Sequence, residues 1–144
     1  MRTCCGLLFV LVLIPAMAGC DAVSAIIAAK GVTVELVNNG DFDVEAKMFY
    51  YDDQDVIESL LEEIGTEVNL TVQPGKSTAF SQDCDDFQAF FLENAELRVI
   101  GAIGPEASTD VLRDGDEFRC GDTIVLTFDH SDLLLDFDVT ISTQ

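Results

Sequence analysis

The amino-acid sequence predicts an all-β protein, an antiparallel β-sandwich of about eight short strands with one short helix. Three observations support this prediction. Apolar and polar residues alternate with period two in several short segments. Turn-forming residues return roughly every ten residues, a spacing typical of sandwiches. A single segment has the periodicity of an amphipathic helix.

The first two strands are predicted over residues 32–36 and 42–50, joined as a hairpin. Both segments alternate apolar and polar residues. The sequence Asn38-Asn39-Gly40-Asp41 between them contains residues that tolerate positive φ in a turn. Phe49 and Tyr51 interrupt the polar face of the second strand, so we expect the end of that face to be covered as well.

Residues 56–64 are predicted to form the helix. Its apolar residues share one stripe: Val56, Ile57, Leu60, Leu61 and Ile64. Asp55 and Glu58 have the spacing of a capping box, and Gly65 is placed at the C′ position. Because so short a helix is marginal on its own, we expect the stripe to lie against the sheet.

The later strands are predicted from the same alternation of apolar and polar residues. They are predicted over residues 67–72, 77–81, 87–92, 97–100, 118–120, 123–128 and 133–141. Pro74-Gly75 predicts a type II turn. Residues 93–96 and 101–109 are predicted as loops, and Gly121-Asp122 is suited to a type II′ hairpin turn.

An apolar leader precedes the domain. Arg2 supplies a positive charge, and the apolar run that follows is shorter than the about 20 residues that span a bilayer comfortably. The run ends in Met17-Ala18-Gly19-Cys20. This tetrapeptide resembles the lipobox of bacterial lipoproteins, in which the cysteine is diacylated on sulfur and becomes the mature N-terminus. The resemblance implies lipidation of Cys20 and concerns the leader alone.

The resemblance divides the chain into a signal peptide (residues 1–19), a lipidated N-terminus and tether (20–31) and a β-sandwich domain (32–144). It implies attachment to a bacterial membrane in the cell envelope and leaves the inner and outer membranes both open. One alternative is an ordinary secretory signal cut at Ala18 or Gly19, with Cys20 unmodified. A transmembrane anchor is a second alternative.

The chain is strongly acidic, with 27 acidic and 7 basic residues and a formal net charge of −20. Loss of residues 1–19 removes Arg2 alone among the charged residues, which brings the charge to about −21. This charge argues against nucleic acid as a partner, because binding to phosphates needs clustered Lys and Arg. It also argues against a domain lying flat on anionic lipid. The charge favours either simple solubility or attraction of cations or a basic partner.

Five cysteines are present. Cys4 and Cys5 leave with the leader and Cys20 takes the lipid, so Cys84 and Cys120 remain as a pair that we predict to form a disulfide. This disulfide would join the two sheets as in immunoglobulin-like domains, a likeness of architecture only, because the chain has no Trp. Two free thiols or a metal site are the alternatives. The single His and the absence of a CxxC pair argue against zinc.

No catalytic group is predicted. Asp129-His130-Ser131-Asp132 contains the residue types of a hydrolase triad, but neighbouring residues on a strand point to opposite faces. No nucleotide-binding or metalloprotease motif occurs. The sequence therefore favours a non-enzymatic protein, with an envelope hydrolase that uses paired carboxylates as an alternative.

Carboxylates cluster in the predicted loops, and calcium takes six to eight oxygen ligands. The candidates are Asp110, Asp114, Asp116 and Glu117 in one group, and Asp83, Asp85 and Asp86 in another. With 27 acids in the chain, such clusters also arise by chance, and none follows the EF-hand pattern. Calcium is the one cofactor that the sequence leaves open.

These observations lead to a functional hypothesis. The chain is predicted to be a lipid-anchored bacterial envelope protein with a non-enzymatic binding or structural role, its partner an unknown envelope protein or glycan. The alternative is a calcium- or carbohydrate-binding surface module. A groove lined by Phe49, Tyr50 and Tyr51 would favour sugar or peptide binding.

Overall fold

A computed structural model describes residues 31–99, 102–130 and 137–144. Over these residues the chain forms nine β-strands and one α-helix, and the strands make two stacked sheets. The prediction of an all-β sandwich is confirmed, with nine strands where about eight were expected.

The strands are β1 (Gly31–Asn38), β2 (Asp43–Tyr51), β3 (Thr66–Val72), β4 (Ser77–Asp83), β5 (Ala89–Val99), β6 (Ala102–Ala107), β7 (Leu112–Arg113), β8 (Thr123–Asp129) and β9 (Asp138–Thr143). Helix α1 (Glu58–Ile64) joins β2 to β3, and a single 3-10 turn (Cys84–Asp86) follows β4. The last strand was predicted over residues 133–141, of which 131–136 lie outside the described residues.

Sheet A has the strand order β4-β1-β8-β9. Sheet B has the order β3-β2-β5, and both β6 and β7 pair with the far side of β5. β1 and β8 run parallel, with Thr33 opposite Thr123, so the prediction of a wholly antiparallel sandwich is wrong at this pair. Parallel neighbours need a long connection, and all of sheet B lies between these two strands in the sequence.

The core lies between the two sheets and is built by alternation. Buried and partly exposed residues alternate along all of β1, as a strand with one face on the core requires. The largest side chains buried between the sheets include Leu36 from β1, Met48 from β2, Leu92 from β5 and Phe128 from β8. Packing of these apolar faces against each other is the main stabilising term of the sandwich.

β1 and β2 do not form the predicted hairpin, because the chain crosses from sheet A to sheet B between them. Asn38 is 1% exposed, and its side chain fixes this crossing. Its Nδ2 donates to the carbonyl oxygens of Phe42 and Val72 at 2.7 and 2.9 Å, and its Oδ1 accepts from the N–H of Gly40 at 2.9 Å. A buried amide on β1 that bonds to the connection and to β3 of sheet B directs the chain away from a hairpin.

Replacing Asn38 by alanine is expected to lower the free energy of unfolding by about 2–3 kcal/mol, because two carbonyl oxygens would lose their amide donor. Urea unfolding of the two proteins measures the difference. Asn39→Ala is the control, because Asn39 is exposed and donates to Asp129 Oδ1 at 3.1 Å. Its expected cost is below about 1 kcal/mol, and equal losses from the two changes would contradict the role given to Asn38.

β5 is one long strand where two strands with a loop over residues 93–96 were predicted. Leu92 and Ala95 both face the core, although strict alternation would place them on opposite faces. The pairing with β2 shifts register between Lys47 and Met48, so one residue of β5 is extra and forms a β-bulge. The bulge interrupts the period-two pattern, which explains the wrong prediction of a loop.

The loop predicted over residues 101–109 contains strand β6. β6 lies at the edge of sheet B, where proline is tolerated because its missing N–H removes no hydrogen bond from the ladder. The pairing with β5 is irregular between the Glu96–Glu106 pair and the Arg98–Ile103 pair, and Pro105 lies in this irregular part.

Gly75 and Gly121, both in predicted turns, have positive φ. Gly75 has φ of 63° in the predicted type II turn. The type II′ hairpin predicted at Gly121-Asp122 is wrong, because Gly121, with φ of 96°, is the third residue of a turn closed by the N–H of Asp122 and the carbonyl of Arg119. A type II′ turn needs its positive φ one position earlier. Residues 118–120, predicted as a strand, belong to the connection from β7 to β8.

Candidate functional site

Cys84 and Cys120, the predicted pair, form a disulfide with an S–S distance of 1.96 Å and a Cα–Cα distance of 5.4 Å. Cys84 directly follows β4, and Cys120 shortly precedes β8. These two strands are the neighbours of β1 in sheet A, so the prediction that the disulfide joins the two sheets is wrong. Because Gly31 pairs with Asp83, the disulfide lies where β1 begins.

Helix α1 lies at this same end of the sandwich. Tyr51, the last residue of β2, pairs with Ala89, the first residue of β5. The N–H of Gln88 donates to the carbonyl of Tyr51 at 2.8 Å, and the 3-10 turn with Cys84 comes just before it in the chain. We call the end that holds the disulfide, the start of β1 and α1 the disulfide end.

α1 packs on the outer face of sheet B, the face turned away from sheet A. Val56 and Leu61 form a second, small core with Phe49, Ala89 and Phe91. The rings of Phe49 and Phe91 stack with their centroids 5.7 Å apart. As expected from the sequence, the end of this outer face is covered.

The ends of α1 differ from the prediction. The N-cap residue is Ile57, and no side chain caps the helix, so Asp55 and Glu58 form no capping box. Asp55 instead donates its N–H to Asp53 Oδ1 at 2.9 Å, a local bond that favours a turn before the helix. Gly65 ends the helix with φ of −68°, so it does not take the left-handed conformation of a C′ glycine.

Much of the apolar stripe of α1 faces solvent. Ile57, Leu60 and Ile64 are 63%, 39% and 44% exposed, while Leu61 is buried. The expectation that the whole stripe lies against the sheet is wrong, because the sheet covers only the flank that carries Leu61. Within the described residues, Ile141, at 37%, is the one other exposed large apolar side chain. We call Ile57, Leu60 and Ile64 the α1 ridge.

The α1 ridge lies in an acidic part of the chain. Between Lys47 and Lys76 the sequence contains seven acidic residues and no Lys, Arg or His. Glu58, Glu62 and Glu63 are all exposed on α1 itself. A run of carboxylates without nearby basic residues in the sequence gives this surface a negative potential.

Two basic side chains approach this region from other elements, and both are engaged. The guanidinium of Arg113 donates to the carbonyls of Gln54 and Val56 just before α1. Lys47 Nζ lies 2.8 Å from Glu93 Oε2, and Glu93 is the extra residue of the β5 bulge. The hydrogen bond to Glu93 raises the pKa of Lys47, so this ammonium stays charged and paired.

Arg98 makes a second ionic contact on the outer face of sheet B. Its guanidinium donates to Glu45 and lies 3.8 Å from Glu96 Oε1. The hydrogen bond to Glu45 and the charge of that carboxylate raise the pKa of Arg98. Arg98 and Glu45 are both exposed enough for solvent to screen the pair, so it contributes little to stability.

A shallow polar cleft of about 270 Å³ lies between these ion pairs. Its lining residues are Glu45, Ala46, Lys47, Asn69, Leu70, Thr71, Asn94 and Glu96. Two buried atoms in it, Asn94 Oδ1 and Glu96 Oε1, accept no hydrogen bond from the described residues. These two oxygens can therefore accept hydrogen bonds from a donor that enters the cleft.

A second cleft, of about 280 Å³, lies at the disulfide end. Its lining residues are Tyr50, Tyr51, Asp52, Ile64, Thr66 and Asp86. We call it the tyrosine cleft. Phe49 is not part of it, because Phe49 is buried beneath α1, so the cleft contains two of the three aromatic residues whose grouping would favour sugar or peptide binding. Since Ile64 belongs to both, the tyrosine cleft adjoins the α1 ridge.

The calcium candidates do not come together as a site. No group of three or more Asp, Glu, His or Cys side chains within residues 31–99, 102–130 and 137–144 could hold a metal ion. This applies to both candidate groups: Asp110, Asp114, Asp116 and Glu117, and Asp83, Asp85 and Asp86. Glu117 Oε2 instead accepts a hydrogen bond from the N–H of Arg113 at 2.8 Å, a contact that holds the backbone after β7.

His130 lies at the opposite end from the disulfide. Its Nε2 accepts a hydrogen bond from the N–H of Asp41 at 2.9 Å, and its ring centroid lies 5.6 Å from that of Phe42. These contacts support the turn before β2. Ser131 and Asp132, the other members of the triad-like sequence, lie outside the described residues.

The predicted signal peptide, the lipidation site Cys20 and nearly all of the tether fall within residues 1–30, which are outside the described residues. The part of the chain that the structure describes contains no helix of the length and apolar character needed to cross a membrane.

Sequence reasoning did not predict the α1 ridge or the tyrosine cleft. A signal for the ridge was present, because five apolar residues within nine positions are more than a helix of two turns can bury on one sheet. For the cleft, the adjacent Tyr50 and Tyr51 were the one partial signal. Tyr51 and Asp86 are distant in sequence and meet only because β2 and β5 pair at the disulfide end.

The chain matches no protein-family model and no curated protein sequence. Some solved structures are similar to it. The type VI secretion (T6SS) lipoprotein TssJ1 from Pseudomonas aeruginosa is 12% identical, with a TM-score of 0.45, over 81% of this chain and 97% of its own. The membrane-binding domain of pneumolysin is 7% identical, with a TM-score of 0.45, over 80% of this chain and 96% of its own. A disulfide-locked intermedilysin mutant, in a structure with human CD59, is 10% identical, with a TM-score of 0.44, over 79% of this chain and 24% of its own. Likenesses of this strength assign neither a family nor a function.

Proposed function

We propose that this chain is a lipid-anchored bacterial envelope protein whose sandwich has a non-enzymatic binding role. The observation that carries the proposal is the use of the cysteines. The disulfide takes up Cys84 and Cys120, which leaves Cys20 as the one further cysteine after the leader. Cys20 stands at the end of the lipobox-like tetrapeptide, and disulfides persist in exported proteins.

Lipidation at Cys20 would leave only a short tether before β1, which begins at Gly31. Fully extended, this tether spans about 35 Å. The chain enters the domain at the disulfide end, so in an anchored protein this end is the one nearest the point of attachment. The strongly negative domain would be repelled by an anionic membrane surface, which favours a position away from the lipid.

The features of the outer face of sheet B support a binding role. The polar cleft and the tyrosine cleft are shallow and open, and the α1 ridge exposes apolar surface beside them. The cations beside these features, Lys47, Arg98 and Arg113, make structural contacts with Glu93, with Glu45 and with backbone carbonyls. A surface of this kind suits contact with another molecule, as apolar patches rimmed by polar residues often do.

The anchoring is tested by mass spectrometry of protein produced from the full-length sequence in a bacterial host. We expect the N-terminal peptide to begin at Cys20 and to carry acyl chains, and the Cys20→Ser variant to carry none. The double variant Cys4→Ser/Cys5→Ser is the matched control, because both residues lie in the leader and acylation should be unchanged. A mature N-terminus that lacks Cys20 or carries it unmodified would refute the anchoring.

A further inference from the structure

We propose that the α1 ridge and the tyrosine cleft together form a docking surface for a cationic amphipathic segment of a partner protein. The inference deepens the proposed binding role by naming the class of partner. It does not depend on acylation of Cys20.

The first argument is that the apolar surface of α1 is exposed on a helix with little support of its own. α1 has seven residues, no side chain caps its first turn, and Leu61 is its one buried residue. The N-cap residue Ile57 and the helical residues Leu60 and Ile64 have the i, i+3, i+7 spacing of one helix face, and all three are exposed. A second amphipathic segment laid along this face would bury the ridge, a mode of recognition that uses anchors spaced three or four residues apart.

The second argument is charge complementarity. Glu58, Glu62 and Glu63 are exposed on α1, and Asp52, Asp53 and Asp55 precede it in a stretch without Lys or Arg. Lys47 and Arg113, which approach from other elements, are already engaged. A partner that covers the ridge must therefore supply the compensating positive charge, which also steers its approach.

The third argument comes from the tyrosine cleft, which continues from the ridge at Ile64. Its lining residues include the acidic Asp52 and Asp86 and two tyrosines, of which Tyr50 also stacks its ring on Phe87. Aromatic rings and carboxylates together favour a guanidinium or ammonium group through cation–π and ionic contacts. The cleft therefore suits a single Arg or Lys of the partner, placed beside the apolar contacts of the ridge.

Two other occupants fit this surface less well. The tether (residues 20–31) is apolar, but Lys30 is its single base and Asp21 adds an acid. An anionic membrane would be repelled by the carboxylates around the ridge. A cationic amphipathic segment satisfies both the apolar and the ionic features at once.

The probe for the test is a synthetic amphipathic helix of Leu and Lys, about 14 residues or four turns long. Its binding to the mature chain, residues 20–144 with Cys20→Ser, is measured by fluorescence anisotropy at physiological ionic strength. We expect Ile57→Ser/Leu60→Ser/Ile64→Ser to weaken binding at least about tenfold, because the apolar contacts are lost. We expect Asp52→Asn/Asp86→Asn to weaken binding and to reduce its salt dependence.

Ile141→Ser is the matched control, because Ile141 is also an exposed apolar residue but lies on β9. It should leave binding unchanged, and a peptide of the same composition in scrambled order should bind at least tenfold more weakly. Equal binding by every variant, or by the scrambled peptide, would show general attraction to net charge and refute the docking surface. Ridge-dependent binding to phosphatidylcholine vesicles without ridge-dependent peptide binding would refute it in favour of a membrane.

The two proposals fail separately. Loss of acylation without loss of peptide binding would overturn the anchoring alone. Ridge-independent peptide binding by a protein that is acylated at Cys20 would overturn the docking surface alone.

Discussion

Replacing Phe87 by alanine is expected to lower the free energy of unfolding by about 4 kcal/mol. Phe87 is 1% exposed and lies at the centre of an aromatic cluster. Its ring stacks on Tyr50 and Phe90 at centroid distances of 5.3 and 5.5 Å, and it meets the edges of Phe118 and Phe80 at 5.6 and 6.3 Å. The cluster joins β4 of sheet A to β2 and β5 of sheet B. Alanine would therefore leave a cavity between two packed sheets, and the sheets cannot easily move together to fill it.

Phe80→Ala is the control for this prediction. Phe80 belongs to the same cluster but is only partly buried, on the edge strand β4. We expect it to cost about 2 kcal/mol, because less surface leaves water when the protein folds. Urea unfolding measures both variants. A loss below about 1.5 kcal/mol for Phe87→Ala, or equal losses for the two, would contradict the central position of Phe87.

Local alternation is the part of this fold that can be predicted from the sequence. β1 and β3 lie close to their predicted positions because each has one apolar face over its whole length and is bounded by turn residues. β5 was split in the prediction because its bulge shifts the inward-facing residues by one position. Such a shift is set by pairing with β2, including the contact between Lys47 and Glu93, and leaves no local signal.

The assignment of strands to sheets was harder to predict. Asn38-Asn39-Gly40-Asp41 has the residue types of a hairpin turn, yet β1 and β2 belong to different sheets. The deciding contact joins Asn38 to Val72, residues far apart in sequence. A buried amide that bonds to backbone groups of the other sheet cannot be recognised before the fold is known.

For the candidate site, the sequence indicated which residue types are present but not where they lie on the surface of the fold. The acidity and the apolar stripe of residues 56–64 were both evident. The periodicity predicts that the whole stripe packs on the sheet, because nothing in the sequence shows that the sheet contacts one flank of a two-turn helix. The same acidity suggests the calcium candidates, and neither candidate group converges in the described residues. With 27 acidic residues among 144, carboxylates often lie close together in the sequence by chance. Such closeness is therefore a poor guide to whether they converge on one metal ion in space.

Removing the disulfide is expected to lower the free energy of unfolding by about 4 kcal/mol in the chain-entropy estimate. The two cysteines are 36 residues apart, and the loop between them contains β5, β6 and β7. The cross-link therefore restricts a large part of the unfolded chain. The double variant Cys84→Ser/Cys120→Ser avoids a free thiol, and its thermal and urea unfolding against the unchanged protein measures the loss.

Reduction provides the matched control for this variant. A reducing agent should lower the melting temperature of the unchanged protein to about that of the double variant, and should have no effect on the variant itself. Equal melting temperatures of the oxidised protein and the double variant would contradict the prediction.

The loss of the disulfide should also have a local effect at the start of β1. The disulfide joins the two neighbours of β1, and the N–H of Thr33 donates to the carbonyl of Asp122 at 3.0 Å close to it. We therefore expect the Thr33 amide to exchange faster in the double variant than amides at the far end of β1, such as that of Val37. Uniformly faster exchange along β1 would indicate a global loss of stability without this local role. In the anchored protein that we propose, this is the point at which the tether enters the domain, so the disulfide would protect the strand that any pull on the anchor reaches first.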